Sequence, residues 1–179
     1  MKHFYIISVS FFCFISTVFS QNNKLGIDIN YPVPIGDNFI AEYYNGIFGF
    51  GIKYNFLEIS NYDVGLSGNI EYFEASIFDN DITLLVFRPR ISTEISLGKF
   101  IPYIGMGYSF FNYSIDTDSE IDKTKDGLNI NFGLKYNLSY KIYFNLSYDY
   151  IHLRHEGIII NSSYNLDINI LNIGLGIQL

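Results

Sequence analysis

Eight stretches of this chain alternate apolar and polar side chains with a period of two, and no other feature narrows the fold as much. A period of two sends successive side chains to opposite faces, so each stretch reads as a strand with two unlike faces. The predicted strands cover residues 24–31, 46–57, 61–73, 82–98, 101–113, 127–138, 141–152 and 166–179. In the second, Phe48, Phe50, Ile52, Tyr54 and Phe56 oppose Gly49, Gly51, Lys53 and Asn55. In the sixth, Leu128, Ile130, Phe132, Leu134 and Tyr136 oppose Asn129, Asn131, Gly133, Lys135 and Asn137. The parity slips once, near Ile170 and Leu171, where one extra residue in a bulge would restore it.

The connections alternate strictly in length. Residues 32–45, 74–81, 114–126 and 153–165 make long ones, and the turns at 57–60, 98–100 and 139–141 are short. An up-and-down antiparallel barrel with one trimmed and one ragged rim produces that order. The strands carry no linker or domain boundary between them.

Which way the apolar face points decides what kind of barrel this is. The polar face is mostly Gly, Ser and Asn, small residues that suit a crowded lumen better than a surface in bulk water. Aromatic residues gather toward both strand ends: Tyr54, Phe56, Tyr62, Phe100, Tyr136 and Tyr143 near the short turns, and Tyr43, Tyr44, Phe48, Tyr72, Phe73, Phe111, Tyr113, Tyr148 and Tyr150 near the long loops. Two such girdles around an aliphatic band mark a wall that spans a bilayer. The stretch FRPRISTEIS agrees, because it sets Phe87, Ile91 and Ile95 against Arg88, Arg90 and Glu94. The expectation is therefore an all-β, eight-stranded antiparallel up-and-down transmembrane barrel with its apolar face outward. A secreted lipocalin-like binder, with that face inward around a ligand, is the soluble alternative. Pro89 falls on the lipid-facing parity and cannot donate to a ladder, which predicts a bulge or local defect.

The chain begins MKHFYIISVSFFCFISTVFSQ: one lysine, an apolar run over 4–19, then Val18 and Ser20 before Gln21. That is the pattern of a secretory signal peptide at 1–20, leaving the barrel at 21–179. The sole cysteine, Cys13, lies inside the signal, so the mature chain has neither disulfides nor thiol chemistry. Ten basic against eighteen acidic residues then remain, a formal charge of −8, which argues against nucleic acid as a partner.

With these residues in view, the chain resembles the small eight-stranded outer-membrane barrels of Gram-negative bacteria, the OmpA/OmpX type. Its NYPVPIGDNF segment at 30–39 is similar to one found in the outer membrane protein beta-barrel domain family. The resemblance implies a place in the cell outer membrane, contact with its lipid, and insertion by the barrel-assembly machinery. It implies location and fold far more than activity.

The candidate site is a network of lumen charges: Lys53, Glu71, Arg88, Arg90, Glu94, Lys135 and Asp149, with Asp28 and Asp63 on the same parity. Mirroring across the turn at 98–100 sets Glu94 opposite Gly105 and Arg90 opposite Ser109. Opposite charges in a narrow lumen can satisfy one another as a plug; the sharper reading is a gated path for ions. Three other motifs carry chemistry. Carboxylates at Asp116, Asp118, Glu120 and Asp122 are spaced like the start of a calcium loop, but Ile121 stands where that loop needs glycine and Gly127 where it needs the bidentate Glu. His152 with Ser162 or Ser163 would make a lipid hydrolase only with hydrogen-bond geometry that no sequence reveals. The apolar IIINSSY at 158–164 offers an edge for strand addition or for packing above the rim. The functional expectation is a structural or surface-interaction protein, not an enzyme, with no cofactor or metal and an extracellular partner at the long loops. A narrow channel for ions or small solutes is the alternative.

Overall fold

The computed structural model describes residues 25–75, 82–115, 123–154 and 167–179. Eight strands alternate direction through it: β1 (Leu25–Ile35), β2 (Tyr44–Ile59), β3 (Tyr62–Ala75), β4 (Ile82–Ile95), β5 (Phe100–Ile115), β6 (Lys123–Asn137), β7 (Ile142–Leu153) and β8 (Asp167–Gln178). Each pairs antiparallel with its sequence neighbour, and β1 pairs with β8 to close the barrel. One short helix, α1 (Phe39–Tyr43), lies between β1 and β2. Asn38 caps it: its side-chain oxygen accepts from the Ala41 N–H at 3.0 Å, and its amide donates to the Ile35 carbonyl at 2.8 Å.

The strands outrun their predicted ends at the long-loop rim. β1 continues four residues past Tyr31, through Pro32 and Pro34, and β6 begins at Lys123 rather than 127. β4 stops at Ile95, short of the predicted 98, because Leu97 and Phe100 bridge around Gly98 with φ of 67°. That tight turn moves the β4–β5 register two residues from the mirrored guess. Glu94 faces Tyr103 and Arg90 faces Gly107, not Gly105 and Ser109. Pro89 makes a gap and no bulge: the ladder to β5 breaks at Arg88 and Pro89 and resumes in the same register. Two bulges do occur, both on β2, between Gly46 and Phe48 and between Asn55 and Leu57.

Along the middle of the wall the apolar face points outward, as expected. Ile29, Phe50, Ile52, Leu66, Ile70, Phe87, Ile91, Ile104, Met106, Phe132, Leu146, Ile173 and Leu175 are all exposed. Burying that belt in water would require a second layer; hydrocarbon covers it without one. Aromatic pairs bracket it, with Phe100 on Tyr136 (centroids 5.0 Å apart) at the short-turn end and Phe48 on Tyr72 (6.0 Å) toward the other. Not every aromatic predicted for the girdles belongs there. Phe73, Phe111 and Tyr143 are buried inside, and Tyr113 packs with Tyr44 and Phe39 at the barrel mouth.

Candidate functional site

The lumen is built in two storeys. Toward the short turns it is polar, lined by Lys53, Asn55, Asn69, Arg90, Ser92, Glu94, Asn131, Asn145 and Ser147, all buried. Toward the long loops it is apolar. Phe73, Leu84, Val86, Phe111, Ile151, Leu153, Ile168 and Ile170 point inward and meet Ile40 of α1, which drops into the mouth. All nine are essentially without solvent exposure.

This upper storey explains the parity slip on β8. No bulge sits near Ile170, because the β7–β8 and β1–β8 registers run through it unbroken. Ile168 and Ile170 point in and Leu171, Ile173, Leu175 and Ile177 point out. The environment changes, not the backbone. Where the wall leaves hydrocarbon its outer face meets water, so Glu74, Asn112, His152, Arg154 and Asp167 stand outside. The apolar side chains then face in, as in any water-soluble core.

The lower storey holds the predicted charge network, and all seven of its residues meet there. Two carboxylates organise it. Glu94 receives Lys53 at 2.7 Å, pairs with Lys135, and accepts from the Asn55 amide at 3.3 Å. Asp149 lies between Arg90 (2.5 Å) and Arg88 (3.8 Å) and accepts from Asn129 at 3.0 Å and Asn172 at 2.9 Å. Arg88 also pairs with Glu71, and Arg90 donates to Asn69. Counting Asp28, four cations face four carboxylates, so the network is formally neutral. Asp63, half-buried near the short turn and opposite Glu94 on the neighbouring strand, feels the charges of Lys53 and Lys135 without a direct ion pair to either.

Tyr103, which the sequence reading did not single out, ties the Glu94 group together. The Nζ atoms of Lys53 and Lys135 lie 5.9 and 5.5 Å from its ring centre, and its hydroxyl donates to Asn145 at 2.9 Å. Its signal was Gly133 on the facing strand: a β-carbon there would come within 2.1 Å of the ring. Gly107 likewise leaves room for Arg90, whose Cγ would lie 2.8 Å from a β-carbon. The lumen glycines are spaces for larger neighbours.

A cavity of about 30 Å³ lies among Asp28, Asn30, Ser92, Tyr103 and Asn172, room for about two waters. Buried oxygens of Asp28, Asn30, Ser92 and Asn172 meet no protein donor there, which gives such waters partners.

Outside the barrel, His152 Nδ1 lies 2.7 Å from the Asp167 carboxylate across the β7–β8 pair, at the rim beyond the apolar belt. Hydrogen bonds from His152 and Tyr150 hold that carboxyl below the usual range. Ser162, Ser163, the acidic segment at 116–122 and the segment at 158–164 lie outside the described residues. Among the described residues, no group of three or more His, Cys, Asp or Glu could hold a metal.

A hydrocarbon-facing exterior, a neutral charge network within and an apolar cluster above it define a small transmembrane β-barrel. The sequence matches the family model of the outer membrane protein beta-barrel domain over residues 17–178, and the chain belongs to that family. It is a protein of the outer membrane. Solved structures share the fold at low identity. Neisserial surface protein A is 15% identical with a TM-score of 0.58, over 87% of this chain and 96% of its own. Ail of Yersinia pestis, solved with the heparin analogue sucrose octasulfate, is 15% identical with a TM-score of 0.59, over 89% and 100%. The N-terminal barrel of Pseudomonas aeruginosa OprF is 16% identical with a TM-score of 0.56, over 88% and 98%. No curated protein matches the sequence.

Proposed function

We propose that this protein is a sealed, non-conducting barrel that anchors and displays its extracellular connections, with neither transport nor catalysis in its lumen. The apolar stopper carries this reading. An ion crossing the barrel would have to leave the polar storey and pass nine close-packed apolar side chains with nothing to replace its hydration. Lys53, Glu71, Arg88, Arg90, Glu94, Lys135 and Asp149 serve as the plug beneath it, holding eight strands at fixed spacing. Purified protein in planar bilayers should give no conductance steps. Regular steps from the unmodified protein would overturn the reading and revive the channel.

The partner of such a barrel meets it at the rim. The loops there carry Asp37, Glu42, Asp79, Asp81, Asp116, Asp118, Glu120 and Asp122, so this surface favours a cationic or cation-bridged partner over a polyanion. Residues 1–20 direct export and are removed, and the assembly machinery of the outer membrane inserts the rest. The mature protein should therefore begin at Gln21. The His152–Asp167 pair is a rim ion pair in this reading, and expression of the protein should leave the mass of lipid A unchanged.

A further inference from the structure

Two exposed lysines stand together at the short-turn end of the barrel. Lys99 follows Gly98 in the β4–β5 turn, and Lys141 ends the β6–β7 turn. β5 and β6 are paired, so these two turns are neighbours. At the end of β6 the Asn137 N–H donates to the Lys99 carbonyl at 2.8 Å, and the chain reaches Lys141 four residues later. The two backbones lie about two strand spacings apart, roughly 10 Å, within reach of one lipid headgroup for side chains of this length.

Neither lysine is neutralised by the protein. None of the ion pairs among the described residues includes Lys99 or Lys141. The carboxylates at this end are placed elsewhere. Glu58 and Asp63 face each other across the β2–β3 hairpin, and Glu94 lies in the lumen. The terminal residue, Leu179, donates its N–H to Leu25 on β1. The Lys141 ammonium lies 5.7 Å from the Tyr140 ring centre, a contact that attracts the cation and leaves its charge in place.

The surface around them is the bottom of the lipid-facing belt. Leu97, Phe100, Leu138 and Tyr140 are exposed there, with Tyr140 at 83%. Because the apolar wall runs down to the turns, the two ammonium groups stand where hydrocarbon meets headgroups. A zwitterionic headgroup brings its own cation beside its phosphate, whereas a net anionic headgroup leaves the phosphate charge for the lysines.

We propose that the short-turn rim at Lys99 and Lys141 is a docking site for the headgroup of an anionic phospholipid, whose acyl chains lie on Leu97, Phe100 and Leu138. Charge complementarity selects this occupant, since the two cations have no counter-ion in the protein. The site gives this sector of the wall a preferred lipid and holds it at a fixed depth in the leaflet. It depends on the barrel spanning the bilayer and not on whether the lumen conducts.

The chain contains no tryptophan, so a single one reports on its neighbours without background. Leu138→Trp protein is folded into phosphatidylcholine vesicles that carry either brominated phosphatidylglycerol or the same fraction of brominated phosphatidylcholine. Quenching should be stronger with the phosphatidylglycerol, reading a local enrichment of about fivefold per lysine. Phe48→Trp, near the opposite rim, should show no such preference. Adding Lys99→Gln and Lys141→Gln to Leu138→Trp should abolish the preference and leave quenching by brominated phosphatidylcholine unchanged. Heat-modifiable mobility confirms that each variant is folded. Equal quenching of Leu138→Trp by the two lipids would overturn the proposal. So would a preference of the same size at Phe48→Trp, or one that survives the double lysine substitution.

Discussion

Asp149 carries more of the lumen than any other single side chain, because Arg88, Arg90, Asn129 and Asn172 all converge on it. Removing one partner from a buried charged cluster strands the others. Asp149→Ala should therefore destabilise the barrel by about 3–5 kcal/mol in urea unfolding from lipid vesicles. Lys99→Ala at the exposed turn, in zwitterionic vesicles, should stay within roughly 0.5 kcal/mol. At the rim, the sign of the pH effect follows from Asp167. Its folded carboxyl titrates below the unfolded one, so the pair contributes stability above the unfolded pKa and loses it as pH falls through the folded value. A carbon-detected titration should place Asp167 low in the native protein and raise it toward the ordinary range in His152→Ala, where the Tyr150 hydrogen bond still holds it down. Composition alone made the charges visible, and parity put all seven network residues inside. Which cation meets which carboxylate was hidden, because it depends on a two-residue register set by the turn at Gly98.

At the scale of the element, the informative strand is β8. It reads as one alternating run with an error in it, yet it is an unbroken strand crossing from hydrocarbon to water. Ile170 and Leu171 are adjacent and equally apolar, but one sits in the stopper and the other on the outer wall. Ile170→Ala should cost about 2–5 kcal/mol as a buried cavity. Leu171→Ala should cost clearly less, because lipid fills the space that the side chain leaves. Equal losses in a urea series would contradict the two-storey lumen. Phe73 and Phe111 were misplaced in the outer girdle for the same reason: near the rim, an aromatic residue suits both an interface and a core.

For the whole molecule, the exposed apolar belt makes lipid or detergent part of the folding reaction. Without either, the outward side chains would have to be buried some other way, and the lumen charges could not stay inside. Folding in detergent should give a heat-modifiable gel mobility, and detergent-free buffer should give none. A monomer that folds in plain buffer would return the chain to the soluble, inward-facing class. The apolar upper storey makes a second demand at this scale: if the barrel is closed as proposed, what it does toward the outside it does at its rim.

The sequence by itself determined the strand count, the antiparallel order, the lipid-facing side and the identity of the buried charges. The count and order follow from a period of two and from connections that alternate in length, the lipid-facing side from the small polar face and the aromatic strand ends, and the buried charges from their parity. Tertiary structure decided the rest: the register that joins Glu94 to Tyr103, the inward turn of Ile168 and Ile170, and the fall of Ile40 into the mouth. Those depend on which strand lies opposite and on where hydrocarbon gives way to water. A one-dimensional pattern records that a residue is apolar, but not which solvent its strand is standing in.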